Sequence, residues 1–279
     1  MIIDTHLHLI YRNVLRYPWL AGVPALDADF PYETYATEAR RLGIAGVLHM
    51  EVDVADEQME AETGVIERLS QTDGSLLRGA IAACRPESPD FPAYLERQRA
   101  NPFVKGFRRV LHVMPDDLSK APLFRANIAK LSGTGLTFDL CVLPHQVGQA
   151  AALADLAPDV SFILDHCGVP DIKSGAFGFW SKDVTEIARR PNVTVKLSGI
   201  PAYGDPDSWT LEDLKPYFAH VAQSFGFERM IWGSDWPVCT LGGGLSTWVG
   251  ATHALLSGVG LEDKARVLSG NAAAMWRLG

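Results

Sequence analysis

Eight short apolar, β-branched runs recur along the chain: MIIDTH, IAGVLHM, LLRGAIA, VKGFRRV, LTFDLCV, VSFILDH, VTVKLSG and RMIWGSD. Most are apolar at successive positions rather than at every second one, the pattern of strands buried on both faces of a parallel sheet. Between them lie amphipathic segments over 32–42, 56–70, 91–99, 122–131, 146–156, 182–190 and 211–225, the last opened by Thr210 and Asp213 at capping-box spacing. Strands that alternate with helices eight times predict a closed (β/α)8 barrel. An open doubly wound sheet is the alternative, but it would more often carry a Gly-rich turn after its first strand, where this chain has His-x-His.

Length fits that architecture, since barrels of this kind reach about 250 residues as one unit and the chain has 279. Hydrophobic residues make up 47% and charged ones 21%, a balance that builds a packed core and excludes extended disorder. With no linker, solenoid-period repeat or low-complexity segment, residues 1–279 are expected to form a single domain. The formal net charge of −8 and the lack of a basic run argue against a nucleic-acid surface. Cys84, Cys141, Cys167 and Cys239 are widely spaced, and no charged n-region with an apolar h-region opens the chain. Free thiols in a reducing cytoplasm are the expectation. No apolar stretch nears the ~20 residues needed to cross a bilayer, so membrane insertion is not expected.

Barrel enzymes gather their chemistry at the C-terminal ends of the strands. In chain order those ends offer His6 and His8, His49 and Glu51, Arg108 and Arg109 with His112 beyond, Asp165 and His166, Lys196 and Ser198, and Asp235. In the stretch DTHLH, strand alternation puts His6 and His8 on one face. Two neutral ring nitrogens there suit a metal ion bound at about 2.0–2.1 Å, or a polar substrate. Asp235 stands where an apolar run meets Trp236-Pro237, and an unpartnered buried carboxylate is costly, which favours a catalytic or ligand role over turn capping.

Alternation lets one of Asp165 and His166 look into the barrel, and His166 is the expected one, with Asp165 anchoring a loop or a neighbouring ring. Arg108 is likewise expected inward, its planar fork binding a carboxylate or a hydroxyl-rich substrate, and Arg109 outward in a surface ion pair. Lys196 either touches substrate or pairs with a carboxylate in the barrel. Glu51 is either a site residue or a helix-initiating acid. Two irregular connections, 10–31 with Trp19 in RYPWL and the Gly-rich 168–180, would wall a substrate pocket. Gly242-Gly243-Gly244 reads as a loop, Trp232, Trp236 and Trp276 as packing, and His145, His220 and His253 as structural or exposed.

These residues resemble the amidohydrolase superfamily, in its amidohydrolase-2 branch of sugar-acid lactonases of the fuconolactonase and rhamnonolactonase type and sulfomuconolactone hydrolases. The segments that carry the resemblance run nearly end to end: DTHLHL, RYPWL, VKGFRRVL, FILDHCGVPDI, NVTVKLSGI, FGFERMIWGSDWPVC and SGNAAAMWRL. It implies a distorted (β/α)8 TIM barrel with roles for His6, His8, His166 and Asp235 and with Arg108 as a substrate anchor. Binuclear members of the superfamily use a carboxylated lysine on the fourth barrel strand, and LTFDLCV, the run nearest that place, has none. The resemblance therefore implies one divalent ion, zinc before others, or none; the ligands would be His6, His8, His166 and Asp235, with Glu51 a candidate to complete the set.

The expected activity is hydrolysis of the lactone ring of a sugar acid or a related carboxylated lactone. Asp235 would act as general base, and His6, His8 and His166, with or without the ion, would polarise the carbonyl. Arg108, Trp19 and Lys196 would contact the substrate. A lactone isomerase or a decarboxylase on the same scaffold is the alternative. A non-catalytic sugar-acid binder has little use for a base beside three imidazoles. The partner is a small molecule, with no nucleic acid or membrane, and oligomeric state is left open, a homodimer among the options.

Overall fold

The computed structural model describes residues 1–278. Each apolar run becomes a strand: β1 Ile2–Leu7, β2 Ile44–Met50, β3 Leu77–Ala83, β4 Val104–Val110, β5 Thr137–Cys141, β6 Phe162–Leu164, β7 Val193–Ser198 and β8 Met230–Gly233. All lie parallel in one eight-stranded sheet in chain order. The main helices between them are α1 Tyr32–Arg41, α2 Met59–Ser70, α3 Phe91–Arg99, α4 Pro122–Ala129, α5 Val147–Leu156, α6 Gly178–Ile187 and α7 Leu211–Phe225, followed by α8 Leu245–Leu255, α9 Leu261–Ala265 and α10 Asn271–Trp276. The capping box forms at α7: Thr210 N–H donates to Asp213 Oδ2 at 2.7 Å. The triple glycine is not a free loop. Gly243 and Gly244, with φ of +103° and +91°, turn the chain directly into α8.

The sheet closes where β1 meets the segment after β8. Asp235 N–H donates to His6 O and His8 N–H to Trp236 O, each at 2.8 Å. Asp4, fully buried, ties the same seam: Oδ1 accepts from Ser234 N–H at 2.8 Å and Oδ2 from Tyr35 O–H of α1 at 2.5 Å. Burial pushes the Asp4 carboxyl up, against the hydrogen bonds from Ser234 and Tyr35. A register irregularity between Asp4 and Leu7 lets Asp4 face the helix layer while His6 and His8 face the barrel.

The interior is layered, as barrel interiors are. Ile3, Leu48, Ile81, Ile163 and Ile231 cluster at the lower end with Trp276 of α10. Above them come Asp139 and Lys196, then the residues of the upper rim. A larger apolar layer packs the outer faces of the strands against the helices. The long connection after β1 is a fixed wall: it contains 3-10 turns at Pro18–Gly22 and Pro24–Leu26, and Ile10, Leu15, Tyr17, Leu20 and Leu26 pack against Val52 and Val54. The Gly-rich connection after β6 is shorter than its composition suggests, because α6 already starts at Gly178 and buries Trp180. All four cysteines are free and buried. Among the described residues, no helix is long and apolar enough to cross a membrane.

Replacing Tyr35 by Phe leaves Asp4 Oδ2 without its donor, and a lost hydrogen bond to a charged group costs about 1.5–3 kcal/mol. Urea unfolding of Tyr35→Phe should show a loss of that size. A loss under about 0.5 kcal/mol, the range of an ordinary surface change, would mean that the seam does not rest on Asp4.

Candidate active site

At the upper rim the strand ends bring together His6, His8, Arg108, Asp165, His166 and Asp235. The ring nitrogens His6 Nε2 and His8 Nε2 are 3.2 Å apart. Asp235 Oδ1 lies 3.4 Å from His8 Nε2 and 3.7 Å from His6 Nε2, and its Oδ2 lies 3.7 Å from His166 Nδ1. Ser198 Oγ is 2.9 Å from the same His166 nitrogen and fixes that ring. Asp235 (φ +59°) and His166 (φ +52°) both hold left-handed backbone, a conformation disfavoured for residues with a Cβ and concentrated at functional sites.

Strand alternation does not decide between Asp165 and His166, as the sequence suggested. β6 stops at Leu164, and His166 and Cys167 take left-handed conformations, so both side chains turn into the barrel. Asp165 Oδ1 lies 2.9 Å from Lys196 Nζ and 3.5 Å from His6 Nδ1. Lys196 is not a substrate contact: it is fully buried beneath the rim and pairs with Asp139 and Asp165. Glu51 does not join the histidines as a ligand. Its Oε1 accepts from Arg108 Nε–H at 2.5 Å and its Oε2 from Asp53 N–H at 2.8 Å. Arg108 also donates through Nη2 to Glu51 O at 2.7 Å, which leaves Nη1, 3.3 Å from His6 Nε2, as the nitrogen facing the site. Arg109 turns outward and pairs with Glu87 at 2.7 Å, yet is itself buried rather than on the surface. His49 also faces the helices, 3.4 Å from Glu62 of α2.

Burial, with Lys196 next, holds His6 well below the ordinary imidazole range; burial and Arg108 bring His8 down to about 3, and burial lowers His166 against the pull of Asp235. All three rings are therefore neutral near pH 7. Burial raises Asp235 to about 6, opposed by His166 and Arg108. Burial also pushes Asp165 up, but Lys196 and then His6 bring it well below the usual carboxylate range, whereas burial lifts Asp139 to about 7.

The partner of His8 assigns its ring proton. His8 Nδ1 lies 3.1 Å from Met50 O and must donate to it, which leaves a lone pair on Nε2. His6 meets cations on both nitrogens, the Arg108 guanidinium 3.3 Å from Nε2 and the Lys196 ammonium 3.3 Å from Nδ1, with Asp165 Oδ1 3.5 Å from Nδ1. With the His6 proton on Nδ1, two lone pairs face one another across 3.2 Å, the arrangement that a bound cation requires of the pair. Two nitrogens bound at about 2.0–2.1 Å to a tetrahedral ion stand roughly 3.3 Å apart. The donor set of His6, His8 and Asp235 thus fits one divalent ion. A second set, His6 with Asp165 and His166, is also close enough, but Asp165 is already engaged by Lys196.

Above these groups opens a cavity of about 490 Å³, floored by His8, Arg108, His166 and Asp235, with Trp19 and Tyr203 among its walls. Tyr203, on the turn after β7, has its ring 6.0 Å from His166 and was not singled out by the sequence. Neither were Asp139, whose only signal is a carboxylate inside the apolar run LTFDLC, nor Gly199. A methyl group at Gly199 (φ +58°) would stand 2.8 Å from Asp235 Cβ and closer still to Oδ2.

A parallel barrel with paired histidines on its first strand and a buried aspartate after its last defines an enzyme of the (β/α)8 class. The chain belongs to the Amidohydrolase family, whose model matches residues 3–278. It is 32% identical to an L-fucono-1,5-lactonase of Burkholderia ambifaria over 69% of this chain and 68% of that one. It is 27% identical to a 4-sulfomuconolactone hydrolase of Rhizobium radiobacter over 84% of this chain and 75% of that protein. A crystal structure of a Burkholderia multivorans amidohydrolase with bound zinc superimposes with a TM-score of 0.90 at 22% identity, covering 100% of both chains.

Gly199→Ala should displace the Asp235 carboxyl and cost about 100-fold in turnover, the scale of a 1 Å misplacement, while circular dichroism stays native; turnover within threefold of wild type would contradict the contact. Glu62 is pushed up to about 8 by burial, against the Val52 N–H it accepts at 2.8 Å. The stability linked to it is full below the ordinary Glu value of about 4.3 and is lost as pH rises through about 8. The melting temperature of wild type should therefore fall more than that of Glu62→Gln between pH 5 and 8, and parallel curves would mean that Glu62 ionises normally.

Proposed function

We propose that this protein hydrolyses a lactone, opening the ring by attack of water on the carbonyl carbon. The observation that carries the reading is Asp235: a carboxyl raised to about 6 at the floor of a cavity, within 3.7 Å of ring nitrogens of His6, His8 and His166. A base near neutrality is suited to a water proton. Two relatives are named for the opening of lactones, an L-fucono-1,5-lactonase and a 4-sulfomuconolactone hydrolase, which supports the same reaction class here.

The two oxygens of Asp235 have different tasks. Oδ1 faces His6 and His8 and would complete their ligand set; Oδ2 faces His166 and takes the proton from water as its oxygen bonds to the carbonyl carbon. Arg108 Nη1 stabilises the oxyanion of the tetrahedral intermediate, and His166, steadied by Ser198, presents its other nitrogen to the substrate. Asp235 then returns the proton to the ring oxygen as the C–O bond breaks, leaving a hydroxy acid. An ion bound by His6, His8 and Asp235, zinc on the chemistry of those donors, would supply Lewis-acid polarisation and a bound water with a pKa lowered toward about 7. Isomerisation would replace water by a hydroxyl of the substrate, and decarboxylation would release carbon dioxide with the ring intact.

Asp235→Asn should lower kcat by at least about 100-fold, the lower end of general-base contributions, with an unchanged unfolding midpoint. Activity within tenfold of wild type would remove Asp235 from that role. Metal analysis after zinc loading should find one zinc per chain in wild type and none in His8→Ala; equal contents would contradict the ligand set.

A further inference from the structure

We infer that the lactone taken by this site carries an apolar substituent, an alkyl or aryl group, in place of the hydroxyls of a sugar acid; the inference rests on the lactone-hydrolase reading above. It is drawn from the division of the cavity into a polar floor and apolar walls. The walls come from six of the strand-end connections: Leu26 after β1, Val52 after β2, Val110 at the end of β4, Leu143 after β5, Val169 after β6 and Leu241 after β8.

The polar atoms of the walls are mostly spoken for. Trp19 gives its Nε1–H to Val52 O at 2.8 Å. Asp53 pairs with Arg85 at 3.1 Å, and His112 Nδ1 sits 3.1 Å from Cys141 Sγ. Arg108 has committed Nε and Nη2 to Glu51. What remains for a substituent is the Tyr203 hydroxyl, the second nitrogen of His112 and Asp53 Oδ2, few partners for a ring bearing several hydroxyls. Each hydroxyl buried without a partner weakens binding by roughly 5- to 150-fold, whereas each buried methylene strengthens it by roughly fourfold. The cavity, at about 490 Å³, lies within the usual 300–1,000 Å³ of small-molecule sites and has room for a ring with a side chain. The chemistry at the floor is unaffected: the water oxygen bonds to the carbonyl carbon, the ring C–O bond breaks, and the water proton passes through Asp235 to the departing alkoxide.

The test compares initial rates, followed by a pH indicator with background subtracted, on δ-valerolactone, its pentyl derivative δ-decalactone, and a panel of fully hydroxylated 1,5-lactones of hexonic and 6-deoxyhexonic acids. The kcat/KM for δ-decalactone should exceed that of every hydroxylated member by at least about 100-fold, and Val110→Thr, which puts a hydroxyl into the wall at constant shape, should narrow that ratio several-fold. Faster hydrolysis of any hydroxylated lactone overturns the inference and leaves ring hydrolysis standing. No turnover of any lactone overturns the hydrolase reading, and the inference falls with it. A preference for the alkyl lactone that is unchanged in both Val110→Thr and Leu241→Asn would put the substituent elsewhere and overturn the wall assignment.

Discussion

One ammonium group deep in the barrel governs the arrangement above it. Lys196, with no exposure to solvent, stands between Asp139 and Asp165. A buried charge persists only with partners, and losing one member of such a group costs about 3–5 kcal/mol. Lys196 keeps Asp165 ionised, and the two together occupy the Nδ1 side of His6, the carboxylate at 3.5 Å and the ammonium at 3.3 Å, so that His6 Nε2 faces His8 and Asp235. The orientation of the first imidazole is thus set by charges that never meet substrate. His8, by contrast, is oriented by a backbone carbonyl at the end of the neighbouring strand.

The seam between first and last strands supplies the other half of the geometry. The hydrogen bonds that close the barrel join His6, His8, Asp235 and Trp236 by their own backbones, so the two ends of the chain deliver their reactive side chains to one point by the act of closing. Gly199 leaves the space into which the Asp235 carboxyl is pressed, and Gly233 does the same for His6, since a methyl group there would lie 2.6 Å from the His6 Cβ. The floor is therefore rigid, and differences of substrate are left to the walls, which come from the connections. That separation matches the general habit of barrels, in which strand ends hold the reacting groups and loops tune specificity.

Strands buried on both faces were legible in the sequence because their apolar runs are continuous, and His6, His8, Arg108 and Asp235 were legible because titratable groups at the ends of such runs have little structural reason to be there. Other features depend on partners distant in sequence. Nothing near Lys196 announces Asp139, 57 residues earlier, and nothing near Glu51 announces Arg108, 57 residues later. The inward turn of Asp165 and the outward turn of Asp4 were hidden for a different reason: left-handed residues at His166 and Cys167, and a register irregularity after Asp4, break the two-residue period on which face assignments rest. Of the walls, the connections 10–31, with Trp19, and 168–180 were expected and do line the cavity, but the other wall side chains were out of reach, since loops obey no period that says which side chains turn inward.

The central claim is that a water molecule, activated at Asp235, adds to the carbonyl carbon of a lactone. Turnover in ¹⁸O-labelled water, with the product analysed by mass spectrometry, tests it most directly. One labelled oxygen in the new carboxylate and none in the released hydroxyl is the predicted result. An unlabelled product, as isomerisation would give, or label in the hydroxyl, as cleavage of the alkyl–oxygen bond would give, would contradict it.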